Sequence, residues 1–155
     1  MPVYNTGMNR MKPAVLVDRS KPGRRIEFVD LVRVGRALGA PIRHVYHNTI
    51  QPGAVAGDHW HKRHAVAVDV RKGRLQMILQ DVRTGRFWQG LVKAGDPLML
   101  IPGWEYHAAR NPGPGPAQAT MYATTPPRNE ADSWEFEPKR RLFPKRRFRP
   151  PQADV

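Results

Sequence analysis

Short apolar segments alternate with period two and are broken by glycine turns, and this constrains the chain more than any other feature. In "HAVAVDV" (64–70), Val66, Val68 and Val70 fall on one side. In "RLQMILQ" (74–80), Leu75, Met77 and Leu79 do the same. Side chains of an extended strand alternate between its two faces, so each pattern predicts a half-buried strand. "IRHVYHNTI" (42–50), "RFWQGLV" (86–92), "LMLIP" (98–102) and "AQATMYATT" (117–125) continue the series. The breaks are "QPG" (51–53), "RKG" (71–73), "VRTGR" (82–86) and "KAGDP" (93–97), each with a glycine suited to a turn. "NPGPGP" (111–116) cannot continue a helix. "RRIEFVDLVRV" (24–34) is expected to be a further strand, while "VDLVRVGRALG" (29–39) carries the best short helical period. Strands spaced about 8–12 residues apart indicate an all-β sandwich or barrel.

The 155 residues suit one domain, which we bound at 24–130, between an N-terminal arm (1–23) and a C-terminal tail (131–155). The chain has no cysteine, which excludes disulfides and thiolate metal sites and favours a cytoplasmic setting. There is no apolar run of membrane-spanning length and no secretory h-region, so no membrane association is expected. The formal charge is +13, and "KRRLFPKRRFR" (139–149) supplies seven basic residues and no acid; without it the charge is +6. Much of the basicity thus belongs to the tail, which is expected to lack fixed structure from about Pro138. As a solubilising extension it needs no partner. As a binding arm it suits non-specific contact with nucleic acid or an acidic protein surface.

Half of the six histidines stand within six positions, in "GDHWHKRH". His59 and His61 share a face on extended backbone, with Trp60 turned the other way. If the strand that follows lines a barrel, the pair sits at its mouth, and His107 in "IPGWEYHAARN" can face it from another strand. Trp60, Trp88, Trp104, Tyr106 and Tyr122 are expected mainly in the core and rim, and His44, His47 and His64 as ordinary strand or surface residues.

These segments, in this order, resemble the cupins. Gly53, five residues, His59-Trp60-His61 and later Gly73 follow the first cupin motif, G-x5-H-x-H-x3,4-E-x6-G. Gly95, Pro102, His107 and Asn111 follow the second, with one extra residue before the proline and Trp104 at its usual glycine. The resemblance spans about 42–126 and implies a double-stranded β-helix, the jelly-roll barrel. The glutamate of the first motif is replaced by Ala65 or Val66. Within the cupins, "GDHWHK" is similar to the corresponding run of dTDP-sugar ketoisomerases, 3,5-epimerases and the cupin domain of capsular-polysaccharide reductases, with Ala56 at their arginine.

The resemblance implies an enzyme: an epimerase or ketoisomerase acting on a nucleotide-linked keto-sugar or similar carbonyl compound, needing no cofactor. His59 would be the base, His61 its acid partner or orienter, and Tyr106 (or Tyr46) an acid. Arg43, Lys62 and Arg74 would hold the anionic substrate, and His107 would line the far wall. A neutral imidazole suits such chemistry because its pKa lies near neutrality. The alternative is a metal cupin, with His59, His61 and His107 holding zinc, iron, manganese or nickel and acting as oxygenase, isomerase or sensor. A third reading is a non-catalytic binding or structural protein. By resemblance alone, a homodimer is expected, with residues 24–34 as the exchanged or edge strand.

Overall fold

A computed structural model describes residues 10–11, 15–18, 20–127 and 130–143. Two antiparallel sheets face each other. The first has the order β1 (Arg10–Met11), β9 (Leu98–Ile101), β6 (Val66–Lys72), β11 (Ala117–Ala123), β4 (His44–Ile50). The second has the order β5 (Val55–His59), β10 (Glu105–Arg110), β7 (Arg74–Asp81), β8 (Phe87–Lys93). Consecutive strands β6 and β7 lie in different sheets, so the chain crosses from one to the other as in a jelly roll. β2 (Val15–Asp18) and β3 (Ile26–Val29) form a separate hairpin.

The alternation read from the sequence sets the core. Val66, Val68 and Val70 of β6 meet Leu75, Met77 and Leu79 of β7, together with Val92, Met99, Ile101 and alanines from β10 and β11. Burying side chains of this size stabilises by about 1.5–3 kcal/mol each. Part of the opposite face of each sheet is covered as well. Ala67, Leu98, Leu100 and Tyr122 lie under Val34 of a short helix and Met11 of β1. Ile78, Tyr106 and Ala108 lie under Phe136, Leu142 and Phe143.

That helix, α1 (Leu31–Leu38), corrects the strand expected at 24–34. Asp30 caps its start, accepting a hydrogen bond from the Arg33 N–H (3.1 Å), and Gly39 ends it in the left-handed region. The strand therefore stops at Val29.

The segment 130–143 corrects the tail expected without fixed structure from Pro138. Pro138 is buried, the Lys139 N–H donates to Gln80 Oε1 (3.0 Å), and Arg141 pairs with Asp58 (3.2 Å) and Glu137 (2.8 Å). Residues 144–149 of the basic run and the rest of the tail to 155, with residues 1–9, 12–14 and 19 of the arm, lie outside the described residues. At the end of the barrel away from the histidines, buried Asn111 braces the proline-rich loop. Its amide donates to Ile50 O and Gly115 O (2.8 Å each), and its carbonyl accepts from the Gly113 N–H.

Candidate functional site

Strand β10 pairs on one side with β5 and on the other with β7, and His107 stands opposite both His59 and Leu79. The register slips by one residue at His107/Ala108, which adds local twist there. Gly57, with φ +79°, makes the approach possible. A Cβ at this position would lie 2.7 Å from the His107 carbonyl oxygen and 3.1 Å from its ring. Beyond β5, the chain turns through Lys62 and Arg63 and enters β6. Gly103 lets this turn pack closely, since a Cβ there would sit 2.4 Å from Lys62 O.

The result is a cluster of imidazoles. The ring centroids of His59 and His61 are 4.5 Å apart, His59 and His107 4.9 Å, and His61 and His107 5.4 Å. One nitrogen from each of the three lies within 4.8 Å of the others. His64 joins from the next turn, 4.6 Å from His61, with Nδ1 on the Thr125 hydroxyl (2.5 Å). His44 follows, its Nδ1 on the Thr125 carbonyl.

Burial, reinforced by mutual repulsion among the imidazoles, pushes His59 and His64 down to about 4 and His107 well below its ordinary value. His61 is also lowered by burial, partly offset by its hydrogen bond to Asp132. All four are therefore neutral at pH 7. Two of the tautomers follow from their partners. A carbonyl oxygen only accepts, so Nδ1–H of His61 donates to Asp132 O (2.5 Å) and Nδ1–H of His107 to Glu105 O (3.2 Å). In both rings Nε2 keeps a free lone pair.

The cluster opens into a cavity of about 210 Å³ inside the barrel. Its walls are mainly apolar, among them Val66, Val68, Leu75 and Met77, with Tyr46 and Asn48 as further polar groups. Tyr46 stacks on His44 (5.3 Å), and burial raises its pKa.

Of the residues singled out from the sequence, His59, His61 and His107 are brought together. Tyr106 is not with them and does not serve as the expected pocket acid. It neighbours His107 on β10, so strand alternation turns it to the opposite face, where its hydroxyl donates to Asp58 Oδ1 (2.6 Å). Lys62, Arg43 and Arg74 are exposed, and none lines the cavity. The Lys62 ammonium lies over Trp134 (4.1 Å) on the outside. Arg74 starts β7, five residues from Leu79, the partner of His107.

Ala65 and Val66, at the usual glutamate position, are core residues, and among the described residues no carboxylate joins the cluster. Three neutral imidazoles, two with Nε2 free, fit a divalent ion as a three-histidine donor set rather than as three histidines and a carboxylate. The sequence gives no sign that His64, Asp132 and Thr125 are partners of the site. Asp132 and Thr125 lie some 60–70 residues from the histidines they bond, and no local spacing signals such contacts.

No family model matches the chain, and no curated protein matches it in sequence. Solved structures do match it in fold. The WlaRB TDP-quinovose 3,4-ketoisomerase of Campylobacter jejuni superposes with a TM-score of 0.64 at 16% identity, over 81% of this chain and 90% of that one. QdtA, a sugar 3,4-ketoisomerase of Thermoanaerobacterium thermosaccharolyticum solved in complex with TDP, gives 0.61 at 14%, over 79% and 83%. The capsular polysaccharide assembling protein CapF of Staphylococcus aureus gives 0.56 at 20%; the match covers 79% of this chain but only 34% of CapF. The chain has the cupin fold, and its fold neighbours include sugar ketoisomerases. Among the described residues, no helix is long and apolar enough to cross a membrane.

Proposed function

We propose that this protein is a cupin-fold isomerase that moves a proton between adjacent carbons of an α-hydroxy carbonyl compound, with a nucleotide-linked keto-sugar as the substrate class. The observation that carries the reading is the convergence of His59, His61 and His107 on one mainly apolar cavity inside the barrel. A 3,4-ketoisomerisation needs a base to take the C–H proton next to the ketone, giving an enediolate. A proton is then returned to the former carbonyl carbon, while the hydroxyl proton passes to the other oxygen. Neutral His59 accepts the first proton. Burial and the neighbouring imidazoles lower its pKa, so the imidazolium readily gives the proton back, and the enediolate charge stabilises it meanwhile. His61 and His107 orient the oxygens, and Tyr46 supplies a hydroxyl donor at the wall.

The cavity has room for a sugar ring and no cation in its lining, so the nucleoside diphosphate would rest outside it. Arg43 and Lys62, at the end of the barrel where the histidines lie, would meet its charge. TDP in QdtA supports this ligand class. The test is solvent-deuterium incorporation into dTDP-linked keto-sugars, followed by NMR. Incorporation that disappears in His59→Ala is expected; no incorporation into any dTDP-keto-sugar sinks the reading.

A second reading is favoured by the ring nitrogens lying within 4.8 Å of one another: His59, His61 and His107 hold a divalent metal. Bound there, zinc, iron, manganese or nickel would act as a Lewis acid on a carbonyl oxygen. Metal analysis of untagged protein is expected to give close to one equivalent in that case, and substoichiometric amounts of all four metals dismiss it.

A further inference from the structure

His61 is held by a residue outside the barrel. Asp132 ends a short 3-10 turn (Glu130–Asp132), and its backbone carbonyl accepts the Nδ1–H of His61 (2.5 Å). Its carboxylate takes three consecutive backbone N–H groups from the turn that follows His61. Oδ1 accepts from Lys62 (2.9 Å), and Oδ2 from Arg63 (2.9 Å) and His64 (3.1 Å). Next to it, Trp60 and Trp134 exchange both backbone hydrogen bonds (3.1 and 3.0 Å), fixing the register of the segment against the end of β5. From the other side the His61 carbonyl accepts from the Trp104 N–H (2.6 Å). The turn carrying two of the clustered imidazoles is thus gripped by Asp132 through four hydrogen bonds, across about 70 residues of sequence.

We propose that Asp132 is a positioning residue, which holds His61 in the Nδ1–H tautomer so that Nε2 is its only basic nitrogen. This rests on reading the histidine cluster as the reactive site. A histidine without such a partner favours the opposite, Nε2–H tautomer, in which the lone pair sits on the other nitrogen. In that form His61 would turn a donor, not an acceptor, through Nε2, which suits neither proton acceptance nor metal ligation there. Carboxylate and carbonyl act together. The three N–H bonds set the depth at which residue 132 sits, and that depth puts its carbonyl on the imidazole. The caps also stabilise the charged carboxylate, since backbone N–H groups outweigh its burial and lower its pKa.

The experiment uses the full chain labelled with ¹⁵N, at a pH where the imidazoles are neutral. Two-bond ¹H–¹⁵N correlation spectra report which ring nitrogen of His61 carries the proton. The wild type is expected to show Nδ1–H alone. Asp132→Ala is expected to shift His61 substantially to Nε2–H. Asp132→Asn, which keeps a carbonyl acceptor and the side-chain volume, is expected to fall between the two and serves if Asp132→Ala does not fold. Arg141→Ala loosens the same segment nine residues on and is expected to leave the wild-type tautomer in place. The proposal is overturned if folded Asp132→Ala, or Asp132→Asn alone where the alanine variant does not fold, keeps the pure Nδ1–H signature. It is also overturned if Arg141→Ala moves the tautomer as much as Asp132→Ala. Failure of the deuterium-incorporation experiment leaves this readout intact, so the two readings fail separately.

Discussion

At the scale of single residues, the site depends on what is absent as much as on what is present. Gly57 has no Cβ and a positive φ, and both are needed for β10 to bring His107 against β5. Gly57→Ala would force its methyl to within 2.7 Å of a backbone oxygen, a contact no side-chain rotation relieves. We expect a loss of at least about 1 kcal/mol in denaturant unfolding, together with displaced His107 resonances. Unchanged stability and spectra would show that the strand can yield there. The tyrosines make a complementary case. Tyr106→Phe removes a hydrogen bond to a carboxylate that keeps Arg141 as partner, so a loss of about 1–2 kcal/mol is expected. Because Tyr106 faces away from the cavity, isotope exchange should continue at the wild-type rate, whereas Tyr46→Phe should slow it. A Tyr106→Phe enzyme that is stable but inactive would contradict the assigned faces.

Among the elements, the segment 130–143 acts as a strap across the outer face of the second sheet. Its fixing point is Arg141, largely buried between Asp58 and Glu137, with a further bond to Phe136 O (3.3 Å). Glu137, and burial in the opposite sense, dominate its environment, and the net effect holds the guanidinium firmly charged. Arg141→Ala leaves Asp58 with Tyr106 alone and releases Phe136, Leu142 and Phe143 from a common anchor. Loss of about 1–3 kcal/mol is expected, with faster amide exchange from 136 to 143 and retained protection at Trp134. Uniform exchange across the strap in both proteins would argue against this anchor. The strap also shows where sequence reading stops. β4, β6, β7, β8, β9 and β11 are legible in the sequence, β6 and β7 from apolar residues alternating with period two and the others from short apolar, aromatic or β-branched runs between turns. β5 and β10 lack such runs, since "VAGDH" and "EYHAAR" carry glycine, charge and alanine in their place. The inward pointing of His59, His61 and His107 was legible from motif spacing. The strap was not: its prolines and arginines read as solvated chain, and its contacts come from a few aromatics and from backbone bonds to Asp132.

For the whole molecule, the histidine cluster sets how stability depends on pH. His59 and His64 titrate at about 4 in the folded chain, against 6.5 when exposed, and His61 and His107 are lowered as well. Above about 6.5, imidazoles of both folded and unfolded chains are neutral, and the groups contribute their full stability. As the pH falls from about 6.5 towards 4, the unfolded chain binds protons that the folded one refuses, so stability must decline. Asp132 has its pKa lowered, so its share is lost only below the ordinary carboxylate range. Asp69, raised by burial, changes stability with the opposite sign above its ordinary value, one carboxylate against four lowered histidines. The window from 6.5 to 4 therefore belongs mainly to the histidines. Each proton they take also adds to a chain already at +13, and added salt screens that general repulsion while leaving the burial cost in place. Thermal unfolding is expected to be nearly flat from pH 8 to 7 and to fall steadily between 6.5 and 4, in low and in high salt alike. A melting temperature that holds constant down to pH 5, or a decline that high salt abolishes, would mean that the imidazoles are not buried together as described. In the metal-bound case the same titration sharpens, because protons then compete with the ion for the three ring nitrogens, and a chelator should return the profile to that of the metal-free chain.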